Sequence, residues 1–579
     1  MHPNANTIEN QRLRKAAIER RRIREEEPFP RALAPDGPDE SLFARLRERK
    51  GWTDDYMAEI NDPSYDTLVD MDAMVAALHA VKQSGEKIIV LPDFDMDGIT
   101  SGTLGWAGLN ELGLDAELYI PDFRRGHDVT PEAVQEAHEQ FPDATTIITC
   151  DGGINSLEGI QRGRDLGLTM LVTDHHVELP PGNNAHIAVN PQRMGETYSH
   201  PSICGAFVFY QVLMAYAAEH EPHLLGDIAT LKLFAGMGTV SDVMPLLNEN
   251  HQLVMDSLSI ARLLYVPIPS WDLVAEYDIE DSILMSLLRS RNDHAPEFIS
   301  VFEGFAICLK ALRAHGKLKQ VSDIDEGFYG FYMAPAFNSI RRINGEMANA
   351  FGVFTANSPD EKLACMERII EGNELRKELS ERCAEELMIT DQPWAPWAYV
   401  SRAPLGMLGL IANTMMNETG RPVIVIAHSD DPTAKRAGSA RSPSWFPIID
   451  TMAEKGFTAV GHQNACGVRM ADQTELEAFI DHMSTRAEEI YEEVSRDGSL
   501  AEAMAPDMVL GPGEDCDATL DDVEALLHFT KGIDMFRPFG QGFPRPEFEL
   551  IVDLSQCHIS TLGEDETHLK IILPSGMKL

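Results

Sequence analysis

The sequence predicts an α/β protein built around a parallel sheet, and two observations carry this prediction. Between residues 42 and 245, short apolar runs alternate with helical segments, and three of the runs end in turns rich in aspartate. Short apolar strands that alternate with helices are typical of a parallel sheet covered on both faces. The chain has 579 residues, too many for one hydrophobic core, so we expect roughly two to four domains.

Four apolar runs are the predicted strands of this sheet. The strands span 88–91, 145–149, 168–173 and 186–189, and predicted helices between them span 101–112, 131–140 and 156–166. Parallel strands place all their carboxyl ends on one edge of the sheet, where α/β proteins form their sites. Residues that follow these strands are therefore the first candidates for function.

The C-terminal half predicts further helices and a second sheet. A long amphipathic helix at 360–388 carries an apolar stripe that we expect to pack against a neighbouring domain. The stripe consists of Leu375, Leu379, Cys383 and Leu387. The other regions are a mostly helical part at 250–345, a second α/β region at 395–495 with a strand at 422–427, and a small β domain from 520 with strands at 548–554 and 568–573.

The composition is that of a globular protein and excludes several classes. The net charge of −44 repels nucleic acid at long range, so a nucleic-acid substrate would need a local basic track. No apolar run reaches the length of a membrane span, and the first residues lack a signal peptide, so we expect a cytoplasmic protein. The eight cysteines form no Cys-x-x-Cys pair, which argues against a zinc ribbon and a disulfide framework.

Three predicted strands each end in a turn rich in aspartate. The turns are Asp93-Phe94-Asp95-Met96-Asp97-Gly98, Asp151-Gly152-Gly153 and Asp174-His175-His176. A side-chain period of two places Asp95 and Asp97 on the same side if the chain stays extended. Each turn alone has another explanation, as a calcium loop, an ordinary turn or a helix cap. All three together, at successive strand ends, favour one shared site.

A cluster of carboxylates requires cations, because like charges at short range repel each other. Oxygen ligands with one or two imidazoles suit Mn²⁺ or Mg²⁺, and zinc less well. Two ions about 3.5–4 Å apart would stabilise the attacking and leaving oxygens of a phosphoryl displacement. The turns therefore predict a metal-dependent phosphoesterase with two ions.

These motifs make the sequence similar to the DHH phosphoesterase superfamily, and within it to the RecJ single-strand exonucleases. The resemblance runs from Leu42 to the end of the chain. Beyond the three turns it is carried by Val240–Leu246, Pro335–Arg342, Leu405–Leu410, Gly438–Ser442, Gly461–Gly467 and Met535–Phe548. The Gly-His-x-x-Ala-x-Gly pattern at 461–467 makes the resemblance specific.

The resemblance implies the roles of the residues in the turns. The implied metal ligands are Asp95, Asp97, Asp151, His175 and Asp242, of which Asp151 also counts as catalytic. Asp93 is expected to orient water or substrate. His176 is expected to contact the scissile phosphate or to protonate the leaving oxygen. Leu91 stands where some DHH enzymes have another histidine, which implies weaker binding of one metal.

The resemblance also implies contacts to the substrate. They are Arg124, Arg125, Asn338, Arg341, Arg342, Ser439, Arg441 and His462. The family's motif differs in sequence around Arg342, so Arg341 could serve in its place. Arginine suits this role because it binds phosphate through two parallel hydrogen bonds. In RecJ-like proteins the DHH-associated domain faces the catalytic domain across a cleft and helps to hold the 5′ end.

Six segments follow from the resemblance. They are a charged N-terminal extension at 1–41, a DHH catalytic domain at 42–250, a helical completion of it at 251–355, a connecting helix at 356–392, a DHH-associated domain at 393–497 and an OB-like domain at 498–579. The extension is either a solvated tail or an arm that binds nucleic acid. The family's OB-fold continues past the strand at 568–570, so this β domain is expected to be truncated or completed differently.

The implied activity is that of a 5′→3′ exonuclease on single-stranded DNA, which releases 5′ mononucleotides in DNA repair and recombination. Single-stranded DNA is the expected partner, a single-strand-binding protein or a helicase is a candidate partner, and we expect a monomer that binds no membrane. One alternative is another DHH activity, on oligoribonucleotides, cyclic dinucleotides or pyrophosphate. Another is an inactive replisome scaffold, against which the presence of all five implied ligands argues. The preference for DNA or RNA stays open.

Overall fold

The computed structural model describes most of the chain. The described residues are 52–59, 67–123, 129–265, 294–343, 345–385, 397–462, 464–496, 518–520, 533, 536–546, 548–550, 554–562 and 568–573. The predicted extension at 1–41 lies outside them. The chain divides into two compact units, of which the larger contains residues 58–509 and 538–544. The smaller contains the described residues up to 57, those of 510–537 and those from 545 onwards.

The elements alternate as the sequence predicts in the first third of the chain. The helices are α1 (Asp54–Glu59), α2 (Met71–Ser84), α3 (Met96–Glu111), α4 (Pro131–Gln140), α5 (Leu157–Asp165), α6 (Gly205–His220), α7 (Leu225–Ala229), α8 (Lys232–Ser241), α9 (Glu249–Tyr265), α10 (Pro296–Ala314), α11 (Glu326–Phe328), α12 (Ala334–Arg342), α13 (Ala348–Thr355), α14 (Pro359–Glu385), α15 (Leu408–Thr419), α16 (Ile448–Ala453) and α17 (Gln473–Arg496). A π-helical turn, Tyr329–Met333, joins α11 to α12.

The strands form two large sheets and two strand pairs. They are β1 (Lys87–Pro92), β2 (Asp115–Leu118), β3 (Ala144–Cys150), β4 (Thr169–Thr173), β5 (Ile187–Val189), β6 (Trp397–Ser401), β7 (Val423–Ala427), β8 (Arg436–Arg441), β9 (Thr458–His462), β10 (Ala465–Met470), β11 (Ala518–Leu520), β12 (Phe548–Leu550), β13 (His558–Leu562) and β14 (His568–Ile572). The predicted α/β class is confirmed.

The first sheet has five parallel strands in the order β2-β1-β3-β4-β5. The chain leaves β1 towards β2 on one side and returns to β3 on the other. This reversal is a topological switch point, which opens a crevice between the carboxyl ends of β1 and β3. The aspartate turns after β1 and β3 therefore meet at the place where such folds bind ligands.

The strand β2 was not predicted from the sequence. It has four residues, lies at the edge of the sheet and contains only one buried side chain. Such a segment presents no apolar run, because one side of an edge strand remains near solvent. The central strands differ. In β1, Ile88 and Val90 pack with α2, α3 and α6, whereas Ile89 and Leu91 pack with α4 and α5.

The long helix α14 corrects one prediction. Its bounds agree with the expected 360–388, but Leu375 is 44% exposed instead of packed against a domain. Leu379 does pack against the cluster beneath α15, and the side chains of Cys383 and Leu387 lie outside the described residues. Residues four apart advance about 40° around a helix at each step, so a stripe with that spacing drifts off one face. The N-terminal half of α14 instead buries Met366 and Ile369 in the core of the first sheet.

The second sheet confirms the predicted α/β region at 395–495. Its order is β6-β7-β8-β10-β9, with β6 and β7 parallel and the other neighbours antiparallel. The central strand β7 packs Val423 and Val425 against α15. Its alternate residues, Ile424 and Ile426, pack against α16 and α17.

The smaller unit contains β structure, as expected. Strands β11 and β12 pair in parallel, and β13 and β14 pair antiparallel. The predicted strands at 548–554 and 568–573 correspond to β12 and β14. An OB-like fold stays a prediction, because the described residues show two strand pairs and not a barrel. None of the described helices is long and apolar enough to cross a membrane.

Candidate metal centre

The first aspartate turn is the start of a helix. The carboxylate Oδ1 of Asp95 accepts hydrogen bonds from the N–H groups of Asp97 (2.9 Å) and Gly98 (3.1 Å), so Asp95 is the N-cap of α3. The premise of an extended chain between Asp95 and Asp97 is therefore wrong, since α3 begins at Met96 and not at the predicted Ser101. The carboxylates converge nonetheless. Oxygen atoms of Asp93, Asp95 and Asp151 lie within 4.8 Å of one another.

Asp97 is buried and held by the start of another helix. Its Oδ2 accepts from the N–H of Gly205 at 2.7 Å and its Oδ1 accepts from the N–H of Ala206 at 3.1 Å. Both N–H groups belong to the first turn of α6, where the helix dipole favours negative charge. The fold thus provides a charge-stabilising site for one carboxylate before any cation is considered.

Three glycines allow the backbone to close around these carboxylates. A Cβ atom on Gly98 would lie 2.4 Å from the carbonyl carbon of Asp93. On Gly205 it would lie 2.5 Å from Oδ1 of Asp151, and on Gly238 it would lie 2.3 Å from Oδ1 of Asp97. A side chain at any of these positions would displace a carboxylate or its backbone. Neither Gly205 nor Gly238 was identified from the sequence.

Asp174 organises the third turn. It accepts hydrogen bonds from the N–H groups of His175, His176 and Ile154 at 2.7, 3.1 and 2.9 Å, and its Oδ1 lies 2.8 Å from Nδ1 of His176. Burial opposes its ionised form, but the hydrogen bond from His176 and the nearby imidazoles keep the pKa of Asp174 below its usual value. Its oxygens are therefore used to fix the turn. This positioning role was missed from the sequence, although Asp174 stands inside the motif.

His175 points its Nε2 atom at carboxylates from three different elements. The distances are 3.2 Å to Oδ1 of Asp151, 3.6 Å to Oδ2 of Asp242 and 3.8 Å to Oδ2 of Asp97. Asp242 caps the end of α8, so the fourth contributor that the sequence predicted does reach the cluster. The structure brings together Asp93, Asp95, Asp97, Asp151, His175, His176 and Asp242.

The buried carboxylates carry raised pKa values. Burial, followed by the charge of Asp97, raises the pKa of both Asp95 and Asp151, and the shift of Asp151 is large. Burial and the charges of Asp97 and Asp95 raise the pKa of Asp242 from its ordinary 3.8 to about 8. Such groups release their protons readily only when a cation compensates their charge.

Orphaned polar atoms in the cluster fit a divalent cation. The buried Oδ1 of Asp151 has no hydrogen-bond partner among the described residues, although Nε2 of His175 is 3.2 Å away. The pair is close but not aligned as a donor and an acceptor, which is the arrangement of two ligands that face a common point. Carboxylate oxygens with one or two imidazole nitrogens are ligands suited to Mn²⁺ or Mg²⁺.

His176 differs from His175 in its environment. The hydrogen bond to Asp174 and the charges of Asp174, Asp242 and Asp93 outweigh burial and raise the pKa of His176 to about 9. Its ring is therefore protonated at neutral pH in the protein without a cation. A charged imidazole beside the cluster can bind a phosphate oxygen or donate a proton to a leaving group.

The turn after α8 carries backbone strain. Met244 N–H donates to the carbonyl of Thr239 and Val243 N–H to that of Val240, which is the Schellman ending of a helix. Glycine is preferred at the left-handed position of this motif, but Val243 occupies it with φ of 56°. Asp151 also has a positive φ, of 60°. Strain of this kind persists where the surrounding structure imposes it, often at functional sites.

Arginines stand beside the acidic cluster. The guanidinium carbon of Arg341 lies 3.6 Å from the centre of the Phe94 ring, a cation–π contact. Burial lowers the pKa of Arg341, and the charges of Asp93 and Asp95 oppose this effect. Arg341 thus lies close enough to the turn after β1 for the charges of Asp93 and Asp95 to act on it.

Three further arginines form a second group, which we call the arginine cluster: Arg342, Arg376 and Arg441. Burial lowers the pKa of Arg342, and the like charges of Arg376 and Arg441 lower it further. Within the described part of the chain, no carboxylate pairs with any of the three. The charge of Glu374 acts on Arg376 without forming an ion pair with it. Partly buried arginines without a paired carboxylate are suited to an anion such as phosphate. Arg376, on α14, was missed because the sequence around it looks like an ordinary charged helix.

Two glycines bring the arginine cluster together across elements. A Cβ on Gly406 would lie 2.9 Å from the Cα of Arg342, so the 3₁₀ turn that precedes α15 rests on the end of α12. A Cβ on Gly409 would lie 3.1 Å from both Nη2 of Arg441 and Oγ of Ser439. Ser439 accepts a hydrogen bond of 3.0 Å from Arg441, so these two predicted residues are adjacent.

The structure describes only some of the remaining residues that were predicted to contact the substrate. Asn338 lies on α12, and its buried Oδ1 has no hydrogen-bond partner among the described residues. His462 ends β9, but its side chain is not described. Arg124 and Arg125 lie outside the described residues. Their roles stay predictions.

With this geometry established, comparison with known proteins identifies a family match. The model of the DHH family, N-terminal domain, matches residues 87–236, which contain β1 to β5, all three turns and the first half of α8. This segment of the chain is therefore similar to the DHH family. The DHH match therefore covers the switch point and six of the seven clustered residues, leaving out Asp242.

Curated proteins match the chain over most of its length. The chain is 23% identical over 547 residues to the single-stranded-DNA-specific exonuclease RecJ of Bacillus subtilis. This alignment covers 92% of this chain and 61% of that protein. The chain is 24% identical over 537 residues to the single-stranded-DNA-specific exonuclease RecJ of Escherichia coli. That alignment covers 87% of this chain and 81% of the relative. The chain thus spans less than two thirds of the Bacillus relative, and it is RecJ-like.

Solved structures agree with the fold. The crystal structure of RecJ from Thermus thermophilus in complex with Mn²⁺ aligns with a TM-score of 0.66 at 22% identity, over 92% of this chain and 69% of that one. The Mg²⁺ complex from the same organism aligns with a TM-score of 0.60 at 20% identity, over 92% and 67% of the two chains. At these identities the likeness establishes the architecture.

Gly238→Ala is expected to weaken Mn²⁺ binding by about tenfold or more, since its Cβ would lie 2.3 Å from Oδ1 of Asp97. Overpacking should also lower the free energy of unfolding by about 1–3 kcal/mol. Calorimetric titration with Mn²⁺ and chemical denaturation measure the two effects. Gly226→Ala is the matched control, because a Cβ there meets nothing within 4 Å. Equal Mn²⁺ affinity in the two variants would contradict the assigned role of Gly238.

Without metal, the protein is expected to lose stability as the pH rises from about 4 towards 8, because the pKa of Asp242 is raised to about 8 on folding. The folded state binds more protons in this window, so deprotonation favours unfolding. Mn²⁺ requires the ionised carboxylate and should raise the melting temperature more at about pH 8.5 than at about pH 6. Scanning calorimetry with and without Mn²⁺ measures the difference. In Asp242→Asn the pH slope of the metal-free protein should flatten, and an unchanged slope would refute this account.

Val243→Gly is expected to raise the free energy of unfolding by about 0.5–1 kcal/mol, because glycine relieves the left-handed strain at a cost in chain entropy. Denaturation with urea measures the change. Val321→Gly, at an exposed position in a 3₁₀ turn, is the control and should lower stability. A loss of stability in both variants would show that Val243 is unstrained.

Proposed function

We propose that the chain is a metal-dependent 5′→3′ exonuclease, which degrades single-stranded DNA to 5′ mononucleotides. The observation that carries this proposal is the convergence of carboxylates and imidazoles at the switch point between β1 and β3, with an orphaned buried oxygen on Asp151. The RecJ exonucleases among the relatives support this activity, and the RecJ structures with Mn²⁺ and Mg²⁺ support the metals.

The proposed ligands of two Mn²⁺ or Mg²⁺ ions are Asp95, Asp97, Asp151, His175 and Asp242. Such ions, when bound, would lower the pKa of a coordinated water and neutralise charge on a phosphoryl group. The protein supplies the geometry. Asp97 is fixed by α6, Asp95 by its own cap and His175 by the turn that Asp174 organises. Rigid ligands of this kind favour a single arrangement of the metals.

The residues next to the ligands would handle the substrate and the proton. A water oriented by Asp93 gives a proton to that carboxylate and attacks the phosphorus, the bond between phosphorus and the 3′ oxygen breaks, and His176 donates a proton to that oxygen. In the protein without a cation, the hydrogen bond to Asp174 raises the pKa of His176 to about 9, so its ring carries a proton that it can donate. Arg341, whose charge interacts with those of Asp93 and Asp95, and Asn338, on the same helix α12, would hold the non-bridging oxygens. The products are a 5′ mononucleotide and a strand with a new 5′ phosphate.

The arginine cluster and Ser439 would bind the 5′ phosphate of the strand. Each cycle regenerates a 5′ phosphate, so a fixed anion site next to the metal centre permits repeated cleavage from one end. These cations provide the local basic group that a protein of net charge −44 needs to bind DNA. The proposal retains Arg124, Arg125 and His462 as further contacts. It adds Arg376, whose charge lowers the pKa of Arg342.

The domain boundaries predicted from the sequence are part of the same proposal, supported by the two separate sheets and by α14 between them. The proposed protein acts as a cytoplasmic monomer. A single-strand-binding protein or a helicase remains a proposed partner, for which the support is the expected role in DNA repair and recombination.

Purified protein with Mn²⁺ is expected to release labelled mononucleotides from a 5′-labelled DNA strand of about 20 nucleotides, longer than one binding site. Asp151→Asn and His175→Ala should each lower the rate by about a thousandfold or more, because each removes a group that acts with the metals. The exposed residues Asp430 and His223 provide matched controls, Asp430→Asn and His223→Ala, which should keep full activity.

The same assay distinguishes the other functions. A matched RNA strand and a dinucleotide, run in parallel, identify an enzyme for RNA or for small substrates if either is cleaved faster than the DNA strand. Chelation with EDTA should abolish activity. If calorimetry detects no Mn²⁺ binding and no substrate is cleaved, the exonuclease proposal fails and a scaffold role is favoured.

A further inference from the structure

Phe331 is the most exposed large apolar side chain of the described residues. Its relative exposure is 89%, and it lies in the π-helical turn Tyr329–Met333. Fully burying a phenylalanine side chain contributes about 1.5–3 kcal/mol, so an isolated ring in water forgoes that gain. Turns of π-helix inside α-helices are rare and occur frequently at functional sites.

The neighbours of Phe331 show that the ring is turned out by the fold. The hydroxyl of Tyr329 lies 3.0 Å from Oγ of Ser257, deep in the core. A Cβ on Gly330 would lie 3.4 Å from Val240 on α8, the helix that ends at Asp242. The ring of Tyr332 stacks on Phe328 at 6.2 Å. The π turn therefore rests against the metal-bearing helix α8 while Phe331 faces solvent.

The helix that follows carries the proposed substrate contacts. Asn338 and Arg342 lie 7 and 11 residues beyond Phe331, spacings that return to the same face of a helix. At a rise of about 1.5 Å per residue, they lie about 10 Å and about 16 Å along the axis from Phe331. Stacked nucleotides in a strand are about 3.4 Å apart. A strand held by its 5′ phosphate at Arg342 would thus place roughly its fifth base beside Phe331.

We propose that Phe331 is a stacking platform for a base of the single strand, a few nucleotides from the 5′ phosphate. This inference rests on the proposed function and extends its substrate site from the phosphates to the bases. An exposed ring accepts any base, because every base has a π face. The arginine cluster attracts the phosphates of the same strand, so the ring and the cations fit one single-stranded occupant. Bases paired in a duplex would not be available to the ring.

The test compares Phe331→Ala, Phe331→Leu and Phe331→Trp with the wild-type protein on a DNA strand of about 20 nucleotides. Phe331→Ala and Phe331→Leu should raise KM by about tenfold to a hundredfold, because each variant loses one base–aromatic stack. Both variants should leave kcat unchanged. Phe331→Trp should keep the wild-type KM. Val321→Ala, at another exposed apolar position, is the matched control and should change neither value.

Two substrates separate stacking from other effects. A dinucleotide is too short to reach the ring, so its KM should be the same in wild type and Phe331→Ala. A strand that carries abasic sites at its third to fifth nucleotides should bind wild type and Phe331→Ala equally, because no base remains to stack. Fluorescence anisotropy measures binding of both long strands without requiring cleavage.

The outcomes distinguish this inference from the proposed function. An inactive wild-type protein whose DNA affinity still depends on Phe331 would refute the nuclease and support the platform. Wild-type protein that binds no single strand would overturn the platform, as would an unchanged KM in Phe331→Ala. A drop in melting temperature in Phe331→Ala, with KM raised equally on long and short substrates, would show instead that the ring supports the protein's own structure.

Discussion

The candidate metal centre depends on the way in which one buried carboxylate is held. Asp97 accepts hydrogen bonds from the N–H groups of Gly205 and Ala206 at the start of α6, and it packs against Gly238 on α8. Three helices thus meet at a single charge, and each must approach without an intervening side chain. The other ligands are arranged around this fixed point, since His175 reaches Asp97, Asp151 and Asp242 with one nitrogen atom.

A cluster of this kind is unfavourable by itself. Burial and mutual repulsion raise the pKa values of Asp95, Asp151 and Asp242, and two residues at the cluster, Asp151 and Val243, adopt left-handed backbone conformations. The surrounding core compensates for these costs, because the two faces of the first sheet are covered by helices. A site that is destabilised until cations bind is already organised for them, which is the usual relation between strain and function.

The charges of the protein are separated in space. The net charge is −44, yet the arginine cluster gathers positive charge at one place, where Arg376 and Arg441 lower the pKa of Arg342. The net negative charge repels a nucleic acid that lies along the surface, whereas the arginine cluster attracts a phosphate at one partly buried place. This combination favours a ligand that enters by its phosphate end. The same arrangement links the first sheet to the second, because Arg342 lies on α12, Arg376 on α14 and Arg441 on β8.

The sequence by itself determined the class of fold, four of the five strands in the first sheet and the residues that gather at its edge. It could do so because buried strands and strand-end carboxylates leave local patterns. It did not reveal β2, which is too short and exposed to form a pattern. The apolar stripe predicted on α14 was partly wrong, because this helix packs against two hydrophobic clusters and has no single buried face. Local spacing also misjudged the turn after β1, which is a helix cap and not an extended segment.

Only the tertiary structure decided which groups work together. The N–H groups that hold Asp97 come from α6, far along the chain, and the need for glycine at 205 and 238 arises from carboxylates on other elements. Arg376 and Phe331 carry no motif, and their importance follows from their neighbours and from solvent exposure. A sequence records residue types and spacings, whereas charge repulsion, close approach and exposure depend on distances that only the folded chain creates.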